Sequence, residues 1–263
     1  MNDHAPPLTE TAPKRRHVGQ RFFPEMGVGG FSHVDGSIAF YSQIAALLKP
    51  ADRVLDFGAG RGEQIIDDPV AYRRRLVNFK GRCARVDGCD IDPVVRTNPY
   101  LDSAEVLTPG EPLPYEDESF DLVVARYVFE HVDDPEWMAR ELLRITKPGG
   151  WICAMTPNSW GYIALAARMV PNRLHARSLR RIQPDRKAED VFPTRYRMNT
   201  RAALRRWFGA RADVYAWRAS SEPAYHFGSP LIFGAFKLLH KLLPDALQTT
   251  LYAFIHKRPA SQE

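Results

Sequence analysis

Cysteine is scarce in this chain: Cys83, Cys89 and Cys153 are the three among 263 residues. They are odd in number, scattered and without C-x-x-C spacing, which argues against both a disulfide framework and a zinc site. Long apolar runs are missing too. A stretch such as Leu231–Phe236 is far too short to span a bilayer. Residues 1–21 carry Pro6, Pro7, Pro13 and the basic cluster Lys14-Arg15-Arg16, but not the apolar core of a signal peptide. They read as a disordered arm. Together these absences fit a reducing, cytoplasmic setting. Nor is there a large excess of one charge. Thirty-six Lys and Arg oppose 31 Asp and Glu, for a net charge of +5. That balance permits an anionic partner without demanding nucleic acid. No internal repeat or low-complexity tract interrupts the sequence.

What is there alternates between two periodicities. Ser37–Leu48 has helical apolar spacing and ends at Lys49-Pro50, a helix stop. A buried strand follows at Arg53–Phe57. Helical segments resume at Glu63, are broken by Pro69, and continue over Ala71–Phe79. Further strands are expected at Ala84–Cys89, Glu105–Leu107 and Phe120–Ala125. Asp134-Pro135-Glu136 opens a helix with an N-cap acid, a proline in the first turn and a carboxylate at the positive end of the dipole. Lys147-Pro148-Gly149-Gly150 stops it ahead of a strand at Trp151–Met155. Strands alternating with helices imply a parallel sheet covered on both faces. Beyond Pro157 the expected elements are helices at Ser159–Met169, Ala202–Phe208 and Leu231–Leu243, and strands at Val214–Trp217 and Leu251–His256. The length suits one large α/β domain, here 22–258.

The most informative stretch is Val54-Leu55-Asp56-Phe57-Gly58-Ala59-Gly60-Arg61-Gly62. A carboxylate reaches the C-terminal edge of a strand, and three glycines follow at alternate positions. Such a loop lets a ligand approach the backbone closely, and the carboxyl end of a parallel strand is where small ligands bind. A dinucleotide fold wants G-x-G-x-x-G, but the third position of that pattern is Glu63, which would repel a pyrophosphate. A glycine-rich turn without any ligand is the plainer alternative. Asp90, at the end of the second strand in Gly88-Cys89-Asp90-Ile91-Asp92-Pro93, can accept hydrogen bonds from both hydroxyls of a ribose. The interval from Asp56 to Asp90 is 34 residues rather than the usual 20 or so, and the excess falls in a longer helical crossover. The alternative role for Asp90 is capping the turn that follows it.

Taken in order, the glycine loop, Asp90, Ser119-Phe120-Asp121-Leu122-Val123-Val124, Phe129-Glu130-His131-Val132 and Lys147-Pro148-Gly149-Gly150 resemble the class I S-adenosylmethionine (SAM) methyltransferases. Within them, the likeness is to the large group that includes ubiquinone and menaquinone biosynthesis enzymes. The resemblance covers about Val54–Met155. It implies a Rossmann-like α/β fold: a seven-stranded sheet, mostly parallel with one antiparallel strand, and helices on both faces. A cofactor half would occupy about 50–156 and a substrate or lid half about 157–258. It further implies that SAM is the methyl donor. Asp56 and the backbone of Gly58, Ala59, Gly60 and Gly62 would hold the methionine moiety, Asp90 the ribose, and Ile91 the adenine face. Arg126 would sit near the cofactor and the mouth of the acceptor pocket. Where relatives place an adenine-contacting Asp, this chain has Pro109, with Glu111 the nearest acid. Relatives that bind a metal use E-x-x-E-H; here Tyr127 replaces the first acid, and no metal is expected.

His131 is the candidate general base, since an imidazole titrates near neutrality. Its structural alternative is a hydrogen bond that shapes a loop. The basic stretch from Arg168 to Arg206 suggests a cationic pocket for an anionic acceptor, although a solvated basic face accounts for most of it. Arg195, Tyr196 and Arg197, between Pro193 and the next helix, are singled out as held inward toward substrate. The amphipathic segment Leu231–Leu243 is expected to pack on the sheet edge; docking on a membrane surface or a partner is its alternative. The sequence thus supports a SAM-dependent methyltransferase acting on a small molecule or biosynthetic intermediate, at oxygen. The rivals are a SAM-binding interaction protein without activity and a nucleic-acid methyltransferase. The mild net charge disfavours the second.

Overall fold

A computed structural model describes residues 18–169, 194–224 and 226–259. Seven strands form one sheet: β1 (Arg53–Phe57), β2 (Arg85–Asp90), β3 (Ser103–Val106), β4 (Phe120–Arg126), β5 (Thr146–Pro157), β6 (Ala212–Ala219) and β7 (Thr250–Lys257). Their order is β3-β2-β1-β4-β5-β7-β6. β7 runs antiparallel to both its neighbours, and the other pairings are parallel. The chain builds outward from β1 to β3, then crosses back to place β4 on the other side of β1. That reversal opens a crevice at the carboxyl ends of β1 and β4, where a ligand can approach without displacing a helix.

Eight described helices accompany the sheet: α1 (Met26–Gly29), α2 (Gly36–Leu47), α3 (Glu63–Ile66), α4 (Ala71–Val77), α5 (Pro135–Ile145), α6 (Tyr162–Met169), α7 (Arg201–Phe208) and α8 (Pro230–Leu242). Leu122–Ala125 of β4 are buried to the last residue, as an apolar run covered on both faces must be. On one face Phe129, Leu142, Ile145, Leu204 and Phe208 make a core beneath α5 and α7. On the other, Phe40, Tyr41, Ile44 and Leu76 do so beneath α2 and α4. α5 begins as its sequence dictates: Asp134 Oδ1 accepts from the Trp137 amide at 3.0 Å, and Pro135 occupies the first turn.

Three expectations need correction. Lys147-Pro148-Gly149-Gly150 stops α5, but the next strand does not wait until Trp151. β5 already starts at Thr146, which pairs with Phe120, and the register shifts before Leu122 meets Trp151. The extra residues are absorbed as an irregularity at the sheet's lower end. Val18–Arg21, placed in the arm by sequence, form a 3-10 turn. Finally, α8 does not lie on the sheet edge. Its buried residue Phe233 joins Phe23 and Met26 in a separate small core, flanked by Val18, Phe22 and Val34. The basic segment 173–187 and Phe192 lie outside the described residues.

Candidate active site

The glycine loop leaves β1 at the crevice and is bound to β2 by its own backbone. The amides of Gly58 and Ala59 donate to the Cys89 carbonyl at 2.8 and 3.1 Å. Gly58 has φ 80° and Gly62 φ 81°, a region costly for residues with a side chain. A Cβ at Gly58 would stand 2.4 Å from Val128 Cγ2, and one at Gly62 would stand 2.8 Å from Asn98 Oδ1. The bareness of these positions is therefore required by the surrounding structure. Asn98, which sequence reasoning passed over, is buried and holds the loop from beneath: Nδ2 donates to the carbonyls of Ala59 and Gly60 at 3.2 and 3.3 Å. Its only sequence signal was the Asn98-Pro99 dipeptide after a turn.

Asp90 ends β2 beside this loop. Its Oδ2 accepts from the Gly60 amide and its Oδ1 from the Asp92 amide, both at 3.0 Å. The carboxylate thus shapes the loop, and each oxygen keeps a lone pair for a ligand hydroxyl. Ile91 next to it is 47% exposed, an apolar side chain left open at the rim.

Asp56, Glu63 and Asp90 come together around the loop. Burial raises the Asp56 carboxyl to about 7, with repulsion from Glu63 and Asp90 adding to it and Arg126 opposing. Three carboxylates here disfavour a phosphate and suit a ligand bearing positive charge. Tyr41 of α2, also missed by sequence, is buried against this group and donates its hydroxyl to Gln64 Oε1 at 2.9 Å. Burial pushes its phenol well above the usual range. Arg126, the last residue of β4, lies over the Tyr127 ring at 4.8 Å and reaches Ser37 Oγ at 3.4 Å. Its Nε is buried with no acceptor among the described residues. The guanidinium therefore keeps one buried donor, Nε, without a described acceptor at the boundary between the glycine loop and the N-terminus of α2.

Across the crevice, the turn Phe129–His131 follows β4. Glu130 is buried and accepts from Thr156 Oγ1 at 2.8 Å, and Asn199 Nδ2 donates to Thr156 Oγ1 at 2.6 Å. The Glu130 carbonyl takes the amides of Arg195 and Tyr196 at 2.6 and 3.1 Å. This network fastens the 194–199 segment beside half-buried His131. It does not turn the arginines inward as expected. Arg195 and Arg197 are exposed; Arg195 Nε pairs with Asp133 Oδ1 at 2.7 Å, and Arg197 donates to the Asp133 carbonyl. Tyr196 is half-buried, with its carbonyl accepting from Ser159 Oγ at 3.3 Å. Both arginine side chains thus lie at the surface beside Asp133.

The profile of a family described as a methyltransferase domain matches residues 33–213. The sterol 24-C-methyltransferase of Schizosaccharomyces pombe is 31% identical over 105 residues, covering 39% of this chain and 27% of that protein. The ubiquinone/menaquinone biosynthesis C-methyltransferase UbiE of Vibrio vulnificus is 31% identical over 108 residues, covering 39% of this chain and 40% of its own length. The chain thus aligns with less than half the length of either relative. Among solved structures, a SAM-dependent methyltransferase from Methanosarcina mazei superposes with a TM-score of 0.51 at 18% identity, over 83% of this chain and 98% of that one. This last is a likeness of fold.

Proposed function

The chain belongs to the methyltransferase-domain family, and from that premise we propose that it transfers the methyl group of SAM to a small-molecule acceptor, at oxygen. The observation that carries this reading is the glycine loop ringed by Asp56, Glu63 and Asp90 at the carboxyl edge of β1 and β2. Anionic side chains around an open backbone fit a ligand with an ammonium and a sulfonium, and in this reading Asp90 takes the ribose hydroxyls. SAM supplies an electrophilic methyl group. The loop backbone and Asp56 hold the amino-acid end. Ile91 covers the adenine face, and the Arg126 guanidinium lies near enough to take part in holding the methionine carboxylate. Residues of the 50–156 half thereby fix the donor.

The acceptor is assigned to the opposite side, among Tyr127, His131 and the 194–197 segment. His131 would receive the hydroxyl proton as the oxygen attacks in line, with alignment supplying most of the acceleration. The sterol and quinone-pathway relatives support a small molecule over a macromolecule as acceptor. The test is a panel of candidate hydroxyl compounds screened for release of S-adenosylhomocysteine. Turnover on one of them, with kcat reduced about a hundredfold or more in His131→Gln and KM for SAM unchanged, is the expected outcome. Wild-type turnover in that variant would remove His131 from the chemistry. A failure to bind SAM at all would remove the proposal.

A further inference from the structure

The outer face of α8 stands apart from the site. Its inner side is committed: Phe233 is buried against Phe22 and Phe23, and Lys237 Nζ donates to the Phe22 carbonyl at 2.6 Å. Phe236 stacks on Tyr162, and His240 bonds both the Tyr162 hydroxyl and the Ser221 carbonyl. The outer side presents Leu231, Ile232, Leu238, Leu239 and Leu242, spaced at i, i+1, i+7, i+8 and i+11 and so gathered on one arc of the helix. Leu231 is 84% exposed, Leu242 70% and Leu238 58%. Phe227, just ahead of the Ser229 cap, is 65% exposed. A soluble monomer seldom leaves so many large apolar side chains together in water. No helix among the described residues is long and apolar enough to cross a membrane.

Charge narrows what could cover this face. Between Glu222 and Asp245 the sequence contains no acidic residue, while Lys237 and Lys241 lie in the helix. Lys241 and Arg21 of the adjoining turn are both exposed. Area narrows it further. Thirteen residues give a helix about 20 Å long and about 10 Å wide, a footprint of about 200 Å². A stable pair of subunits buries about 800 Å² on each partner. A lipid surface sets no such threshold, because each leucine inserted into the interfacial layer contributes separately and nearby cations add attraction to anionic headgroups.

We propose that α8 docks the protein on an anionic lipid surface, with the Leu231–Leu242 arc in the headgroup–acyl boundary and Lys241 and Arg21 among the headgroups. This goes beyond the proposed methyl transfer and does not depend on it. The test is co-sedimentation of the full chain with vesicles of phosphatidylcholine alone and of an equimolar mixture with phosphatidylglycerol. Wild type is expected to sediment with the mixed vesicles and to bind the neutral ones about tenfold more weakly. The triple variant Leu231→Glu, Leu238→Glu, Leu242→Glu is expected to lose about tenfold or more of the binding. An unchanged far-UV circular dichroism spectrum and a cooperative thermal melt show that this variant is folded. Lys241→Glu is expected to weaken binding only to the mixed vesicles. Absence of wild-type sedimentation, or equal sedimentation of the triple variant, would overturn the proposal. So would a wild-type dimer in sedimentation velocity that the triple variant dissolves, since the face would then belong to a second copy.

Discussion

The two sides of the crevice are built by different means. On the β1–β2 side, the groups of the site lie within a few residues of a strand end, and the strand end places them. Gly58, Ala59 and Gly60 are tied to Cys89 and Asp90 by their own amides. On the other side, each contact joins distant parts of the chain. Glu130 meets Thr156 across 26 positions, and Asn199 meets Thr156 across 43. The first side is a backbone frame that tolerates few side chains. The second is an assembly of side chains that another sequence could repack without disturbing the sheet. A common donor with differing acceptors is the division of labour such a molecule is suited to.

Asp90→Ala puts that contrast to its hardest test. In the proposed role, Asp90 takes two ribose hydroxyls, and losing each charge-assisted bond would cost about 1.5–3 kcal/mol. SAM affinity is expected to fall about a hundredfold or more by calorimetry. Retention within about threefold would break the idea of a framed donor site.

Next in size is a matched pair of glycine substitutions. Gly58→Ala must hold φ 80° and confront Val128 at 2.4 Å, and is expected to lose about 2–4 kcal/mol of unfolding free energy. Gly228→Ala in the other half has φ 74° and nothing within 4 Å, so only the backbone term of about 1 kcal/mol remains. Equal losses in denaturant melts would erase the distinction.

Smaller again is a pH effect. With its carboxyl raised to about 7, Asp56 is largely protonated in the free protein below that pH. A cationic ligand favours the ionised form, so binding releases a proton. SAM affinity is expected to rise with pH by at most about tenfold per unit, levelling off above about 7, and Asp56→Asn to flatten the curve. For the unliganded fold the sign is opposite. The folded value lies above the ordinary 3.8, so the native state holds more protons between the two, and this group's contribution to stability declines as pH rises through that window. The smallest effect belongs to Arg195→Ala and Arg197→Ala. Both side chains are exposed beside Asp133, and SAM affinity is expected to change by less than about threefold.

Much of the donor side was readable in the residues. The strand at Arg53–Phe57 and the Asp134-Pro135 helix start have local causes, namely buried apolar runs and capping chemistry, and the structure repeats them almost to the residue. Asn98 and Tyr41 were not readable. Each acts on a loop far away in sequence, and an isolated Asn or Tyr carries no period or spacing. Arg195 and Arg197 were misjudged because both side chains meet Asp133, more than 60 positions earlier, and the Glu130 carbonyl holds the Arg195 and Tyr196 amides. α8 was recognised as an amphipathic helix, but amphipathicity states only that one side is apolar. Here the side turned to the protein holds Phe233 and His240, and most of the leucines face out.

By itself, then, the sequence determined the elements, their alternation, the glycine loop and the two acids beside it, because each rests on neighbours within a turn or a strand. Only the tertiary structure decided that Glu63 joins Asp56 and Asp90 in one anionic ring, that Arg126 opposes that ring with its positive charge, and that α8 shows its leucines to solvent. Those outcomes depend on which faces meet after the chain reverses across β1. Burial and mutual repulsion shift a charge only once such a meeting has occurred.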